Sequence, residues 1–310
     1  MNGCLASGLS SGQGLISQVR DPVDKTDASA PTDKRRLVLK QEFAQVLKVL
    51  SREGNTLSPI VSEAWDGDAL QTMVRNNPLR ASAAHIAVIG HITKDELLRY
   101  LTATELANGF LLIAVDRSKL LPFGGTLDPD QLTGIASSTR LALRFAAAYR
   151  PLTFDVPARE RWVAAYPELS AARPGLAGAA TARAEAHVVR LALIYALLDC
   201  SERICLEHLE AALAVWAYSA ASANWIFGDS LGDPTADEIW QAARDRPAGV
   251  TRTEVSDLFS RNKKRRNKKR HEIERALAVL EDAGRLRRET RQSEHGRHAD
   301  VWIPIAAHAA

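Results

Sequence analysis

Residues Arg261 to Arg270 read RNKKRRNKKR, eight cations in ten positions with no acid among them. Guanidinium and ammonium groups at that density suit the phosphates of a nucleic acid, whose condensed counterions they displace. Arg285, Arg287, Arg288, Arg291 and Arg297 follow. No aromatic residue interleaves the run, so stacking on single-stranded bases is not indicated, and phosphate contacts that position without specifying sequence are expected. The alternative is a solvated charge cluster, since like charges repel along a helix.

Near the start, GLSSGQG brings Gly8, Gly12 and Gly14 together. A phosphate-binding P-loop needs G-x-x-x-x-G-K-[ST], in which amides wrap the phosphates while the lysine and hydroxyl meet the γ-phosphate and magnesium. The dipeptide Gly-Lys occurs nowhere in the chain. A dinucleotide fingerprint should follow a strand, and none is expected before this segment, so it reads as a turn and helix cap. Cys4, Cys200 and Cys205 are odd in number and lack metal-ligand spacing. They predict no metal site, idle or buried thiols and a reducing, cytoplasmic compartment.

The 310 residues carry a formal charge of only +3, but it is unevenly placed. Residues 233–310 hold 17 Lys and Arg against 13 Asp and Glu, whereas residues 1–232 hold 23 against 24. The cationic character is therefore a local property of the C-terminal part. With 46% hydrophobic and 25% charged residues, the composition excludes a disordered or collagen-like chain. No run of 18 uncharged apolar residues occurs and residues 1–20 lack a signal-peptide pattern, so no membrane partner is expected.

Arg36 to Leu39 and His85 to Ile92 are short apolar runs that predict strands, and Phe43, Val46, Leu47 and Leu50 mark a helix over 42–50. Thr93 and Glu96 form a capping-box pair that opens a helix, closed at Asn108-Gly109, and Phe110 to Val115 predicts a third buried strand. Alternating strands and helices predict an α/β layer with parallel strands. Helices follow at 131–149, 184–198 and 206–226, with Trp162, Trp216, Trp225 and Trp240 expected in cores.

After the turn-rich GDSLGDP at 228–234, helices are expected at 235–245, 251–259 and about 264–283. Strands at 285–291 and 300–305 then flank a turn at 293–298. Three helices followed by a hairpin is the order of a winged helix-turn-helix, whose third helix enters the major groove. The basic run would form the turn before that helix and its first turns. A protein-contact role for such a module is the alternative.

Five blocks together are more specific than any one motif: GLSSGQGLISQVRDP; RRLVLKQEFAQVLKVLSREGNTLSPIVSEAWDG; HIAVIGHITKDEL; ELANGF with VDRSKLLPFGG; and RAEAHVVRLALIYALLD. Over roughly residues 8–228 they resemble the RecA-like ATPases of mobile elements, an uncharacterised-domain family related to plasmid and phage replicative helicases and often found with primases. The resemblance implies a RecA-like core whose Walker A lies upstream of the first block, with ATP and magnesium as the family's cofactors. Many relatives also end in a winged helix.

Several family positions are altered. Gln13 stands where relatives usually carry a glutamate able to polarise the attacking water. Lys40 occupies the tip of the strand that resembles Walker B, where an acid normally holds magnesium, and Glu42 is the next acid. The resemblance places His91 and Thr93 at a polar sensor of the γ-phosphate, vestigial catalytic positions together with Glu42. Arg117 matches a contact to a neighbouring subunit, while Arg183 and Arg190 match nucleotide-sensing positions. Each has a plainer alternative: a structural histidine, a helix-start carboxylate, a strand-end cover or helix surface charge. After Gly109 the family's Asn-Arg pair is missing, and with it an arginine-finger candidate.

The expected architecture is a partial RecA-like α/β core lacking the P-loop over residues 1–127, an α-helical subdomain over 128–232, and a DNA-binding winged helix over 233–310. Arg261, Lys263, Lys264, Arg265, Arg266, Lys268, Lys269, Arg270, Arg287, Arg288 and Arg291 are the expected DNA contacts. The expected function is sequence-weak DNA binding linked to replication, without ATP hydrolysis or cofactor by this chain alone. An ATPase or helicase subunit acting in trans with a Walker A-bearing partner, and a winged-helix transcriptional regulator, are the rivals; beside DNA, the expected partners are a further copy in a homo-oligomer or a chain that carries the Walker A motif.

Overall fold

A computed structural model describes residues 4–52, 54–72, 78–100, 107–148, 151–228, 230–260, 269–292 and 298–305. It is mixed α/β, with small parallel and antiparallel sheets. The chain gathers into two units, one of Met1–Ser170 and Ala180–Ser222, the other of Ala171–Ala179 and Ala223–Ala310.

The first unit opens with β1 (Leu5–Ala6), α1 (Gly12–Ser17), β2 (Arg35–Lys40), α2 (Phe43–Leu50) and α3 (Leu57–Asp66). A two-stranded ribbon, β3 (Leu70–Gln71) and β4 (Arg80–Ala81), precedes β5 (His85–Gly90) and α4 (Lys94–Tyr100). Strands β1, β2 and β5 form a parallel sheet in that order, with all six residues of β2 matched to β5 from Arg35–His85 to Lys40–Gly90. Adding strands in one direction through right-handed crossovers puts the connecting helices on one face. The side chains alternate accordingly. Val38 is 1% exposed on the covered face, whereas Leu37, Leu39 and Ile89 on the opposite face are 36%, 37% and 48% exposed. Gly90 lets the ring of Phe43 lie against the strand end, where a Cβ would come within 2.6 Å of it.

The strands and helix expected around 36–39, 85–92 and 42–50 form, and Thr93 caps α4: its hydroxyl lies 2.9 Å from the Glu96 carboxylate and accepts from the Glu96 amide at 3.3 Å. Three expectations are corrected. GLSSGQG does follow a strand, β1, whose two residues are too short to give a periodic signal. Ser11 then caps α1 by accepting from the Gly14 amide at 3.0 Å. Helix α4 is described as far as Tyr100, residues 101–106 lie outside the described residues, and Asn108-Gly109 fall in a 3-10 turn, Ala107–Gly109. Residues 110–115 join no strand: the amides of Leu112 and Ala114 donate instead to the hydroxyls of Ser219 and Ser222, each at 3.0 Å. Hydroxyls three residues apart on a helix satisfied those amides in place of a neighbouring strand.

The helical part follows with α5 (Pro129–Ala147), β6 (Thr153–Phe154), α6 (Val156–Leu169), α7 (Gly175–Ala180), α8 (Ala184–Leu198), β7 (Arg203–Ile204) and α9 (Leu206–Phe227). Helices α6, α8 and α9 share a core of Val188, Ala192, Leu209 and Trp216, against which Leu111, Phe154 and Trp162 pack. Residues 128–170 and 180–222 belong to the same unit as the parallel sheet. Trp225, expected in a core, is 59% exposed.

The second unit contains α10 (Pro234–Ala243), β8 (Val250–Thr251), α11 (Arg252–Ser260), α12 (Arg270–Asp282), β9 (Leu286–Gln292) and β10 (His298–Pro304). The three strands form an antiparallel sheet in the order β8-β10-β9. Ile273, Ala276, Leu277 and Leu280 recur at helical spacing on α12 and bury against Ile239, Trp240, Val255, Phe259 and Trp302. The helix expected from about 264 is described only from Arg270, and residues 261–268 and 293–297 lie outside the described residues.

Gly249 sets the entry to β8. Its φ is +86°, and a Cβ there would sit 2.7 Å from the Trp302 carbonyl oxygen and 2.7 Å from a Val301 methyl. Both the left-handed backbone and the contact disfavour a side chain. Gly249→Ala should therefore lower the stability of this unit by about 1–3 kcal/mol, read as a fall in the urea midpoint.

Candidate functional site

Most of the described arginines of the second unit pair with acids that lie nearby. Lys269 precedes α12, and its backbone amide donates to the Glu272 carboxylate at 2.7 Å. Arg270 and Arg252 both reach Glu274, at 3.1 and 2.9 Å. Bonds from Arg252 and then Arg270 hold that carboxyl below its usual range. Arg275 meets Asp233 at 3.0 Å. Asp233 also caps α10, and although burial opposes it, the amides of Thr235 and Ala236 together with Arg275 keep its carboxyl ionised to lower pH than usual.

The hairpin follows the same pattern. Arg287 lies 2.6 Å and Arg291 3.5 Å from Glu289, and Arg288 lies 2.5 Å from Asp300. Arg291 also donates to the Ala248 carbonyl at 3.1 Å. The three guanidinium-bearing side chains remain 65%, 55% and 48% exposed for Arg287, Arg288 and Arg291. Exposed ion pairs of this kind contribute about 0–1 kcal/mol, so a phosphate can replace the acid at small cost. Reading cations alone missed these partners. The signal was present in Glu272, Glu274, Glu289 and Asp300, which stand close in sequence to the arginines or across one strand pair. Arg261, Lys263, Lys264, Arg265, Arg266 and Lys268 lie outside the described residues.

In the first unit, the parallel ladder brings the ends of β2 and β5 together. The His91 amide donates to the Lys40 carbonyl, and the His91 carbonyl accepts from the Phe43 amide, both at 2.9 Å. His91 thus ties the strand end to the first turn of α2 through its backbone, while its side chain is exposed. Glu42, also exposed, stands at the N-cap position of α2 and accepts from the Gln45 side chain. The Thr93 hydroxyl is engaged in capping α4. Arg117 is exposed beyond residues 110–115 and makes no hydrogen bond or ion pair with Glu42, His91 or Thr93.

The end of β2 carries Lys40, and no group of three or more His, Cys, Asp and Glu that could hold a metal ion occurs among the described residues. Gln13 lines an open cleft of about 670 Å³ with Ser11, Gly14 and Thr26. Arg20, also on that cleft, is committed to Asp27, at 2.5 and 3.1 Å, and to Ser29 at 2.7 Å.

Arg183 belongs to a different constellation. With His187 and Arg190 it follows the i, i+4, i+7 spacing that shares a helix face. Arg183 pairs with Asp66 at 3.2 Å, and its guanidinium lies 4.2 Å from the Trp65 ring centroid, while that of Arg190 lies 3.8 Å away. His187 is 6% exposed, stacks on Trp216 at 5.6 Å and meets Trp65 edge-on at 5.4 Å. Its Nε2 lies 2.9 Å from the Asn108 carbonyl oxygen, which suits donation from an N–H on that nitrogen. The side-chain oxygen of Asn108 is buried without a partner. Sequence reading named the two arginines but not the histidine and indole between them, because Trp65 lies more than a hundred residues away.

Burial, reinforced by Arg190 and Arg183, lowers the His187 pKa below its ordinary value despite the opposing bond to Asn108. The unfolded chain therefore takes up a proton at higher pH than the folded one, and stability is lost as pH falls from the unfolded value of about 6.5 through the depressed folded value. His187→Gln should flatten the fall in denaturation midpoint over that interval, whatever it does to stability at neutral pH. No family model and no curated protein matches this chain.

Proposed function

We propose that this chain is a DNA-binding protein descended from a RecA-like replication ATPase, and that its second unit is a winged helix-turn-helix. One observation carries the reading. Three helices, a short strand and a hairpin occur in the order α10, β8, α11, α12, β9, β10, and a run of eight cations in ten residues leads into α12. In that arrangement α12 is the helix offered to the major groove and the hairpin is the wing. The outer side of α12 carries a mixture of charges, His271, Glu274 and Arg275 among them, so the attraction comes chiefly from the run before it and from the exposed arginines of β9. Such contacts favour duplex DNA through its phosphates and give weak sequence preference.

The first unit supports the ATPase ancestry through its parallel strand-helix repeat, with Lys40, Glu42 and His91 brought to one end of the sheet. The cation at Lys40 argues against magnesium-dependent hydrolysis by this chain. ATP and magnesium would enter through a partner chain that carries the phosphate-binding loop. A regulator whose first unit serves assembly is the remaining reading.

Titrating labelled duplex at several salt concentrations tests the DNA reading. Replacing Lys263, Lys264, Arg265 and Arg266 with alanine should reduce the slope of log affinity against log salt by up to about one per lost phosphate contact. An unchanged slope would leave the run a solvated surface. In the same preparation, DNA should stimulate no phosphate release from ATP, and release abolished by magnesium chelation would overturn the non-hydrolytic assignment.

A further inference from the structure

Residues 110–115, Phe-Leu-Leu-Ile-Ala-Val, have the composition of a buried strand but join no sheet. One backbone edge faces α9. Leu112 and Ala114 donate to Ser219 and Ser222, and the Ala114 carbonyl accepts from the Tyr218 hydroxyl at 2.5 Å. In an extended chain the peptide groups of alternate residues point to opposite edges, so those of Ile113 and Val115 point away from α9. Among the described residues, these amides and carbonyls make no hydrogen bond. The side chains on this part of the chain are uncovered as well: Ile113 is 48% and Val115 81% exposed.

A free strand edge with exposed β-branched side chains is a template for another strand. We propose that it pairs antiparallel with the same segment of a second copy of this chain, around a two-fold axis near Ile113. This inference is independent of the DNA reading. Two features point to a second copy rather than a foreign strand. First, the edge is self-complementary: pairing about Ile113 sets Leu111 against Val115 of the other copy, and residues 110–115 carry no charge to repel its own image. Second, the apolar surface continues along the chain. Leu120, Leu121, Phe123 and Leu127 are each more than half exposed, Phe123 completely. With Ile113 and Val115 they make six exposed apolar side chains between Ile113 and Leu127, a density that marks an interaction surface more often than a free one.

Sedimentation velocity on the full chain from about 1 to 100 μM, a range spanning ordinary dimer affinities, reads the assembly directly. The expected result is a monomer–dimer equilibrium that Ile113→Lys with Val115→Lys weakens at least about tenfold, because like charges then oppose each other across the axis. Both side chains are exposed and neither residue bonds α9, so circular dichroism and the melting temperature should stay unchanged and exclude unfolding as the cause. As a second measurement, hydrogen–deuterium exchange at the Ile113 and Val115 amides should slow as concentration rises through the dimerisation range. A chain that stays monomeric throughout, a dimer indifferent to the two lysines, or amides that exchange as fast in the dimer as in the monomer would each overturn the proposal.

Discussion

Six consecutive residue pairs join β2 to β5 in parallel, and most placements around the sheet in the first unit follow from that ladder. It fixes Lys40 beside Gly90, which fixes His91 where its amide can meet the Lys40 carbonyl and its carbonyl can start α2. Glu42 and Thr93 then fall at the first residues of two helices, where their side chains serve local bonds. The ladder also determines cover. Because β1, β2 and β5 follow one another in one direction, crossovers of the usual hand all lie on one side. Val38 is sealed while Leu37, Leu39 and Ile89 stay open, an unusual condition for a parallel sheet, whose faces are normally both covered.

The same demand for backbone partners explains residues 110–115. An apolar run of this kind would normally satisfy its amides in a sheet, but α9 presents Ser219 and Ser222 one helical turn apart, in reach of alternate amides. The amides of Leu112 and Ala114 are satisfied this way, while those of Ile113 and Val115 make no hydrogen bond among the described residues. Sequence pattern recognises the tendency to extend but cannot identify a helix side chain as the partner, since that depends on a contact over about a hundred residues.

In the second unit, charge is arranged rather than merely accumulated. Glu274 receives two arginines, Asp233 caps a helix and receives Arg275, and Asp300 receives Arg288 and Thr290. These acids keep the described cations ordered at the surface without burying them, so the field of the unit stays positive while individual guanidinium groups are preoriented. Residues 261–268, which add six further cations in sequence, lie outside the described residues.

Local order was legible in the sequence wherever one short-range rule governed it. The apolar runs gave β2 and β5, the Thr93–Glu96 spacing gave the start of α4, and the period of Phe43, Val46, Leu47 and Leu50 gave α2. The uneven charge was legible because it needs only counting. Tertiary structure alone decided what stands opposite each element. It set the two-residue β1 parallel to β2, placed Trp65 against Arg183, His187 and Arg190, left Trp225 exposed, and gave residues 110–115 a helix as their neighbour. The physical reason is common to all four. Capping, periodicity and net charge act between residues a few positions apart, whereas burial and the partners of side chains and peptide groups depend on segments that meet only when the chain closes on itself.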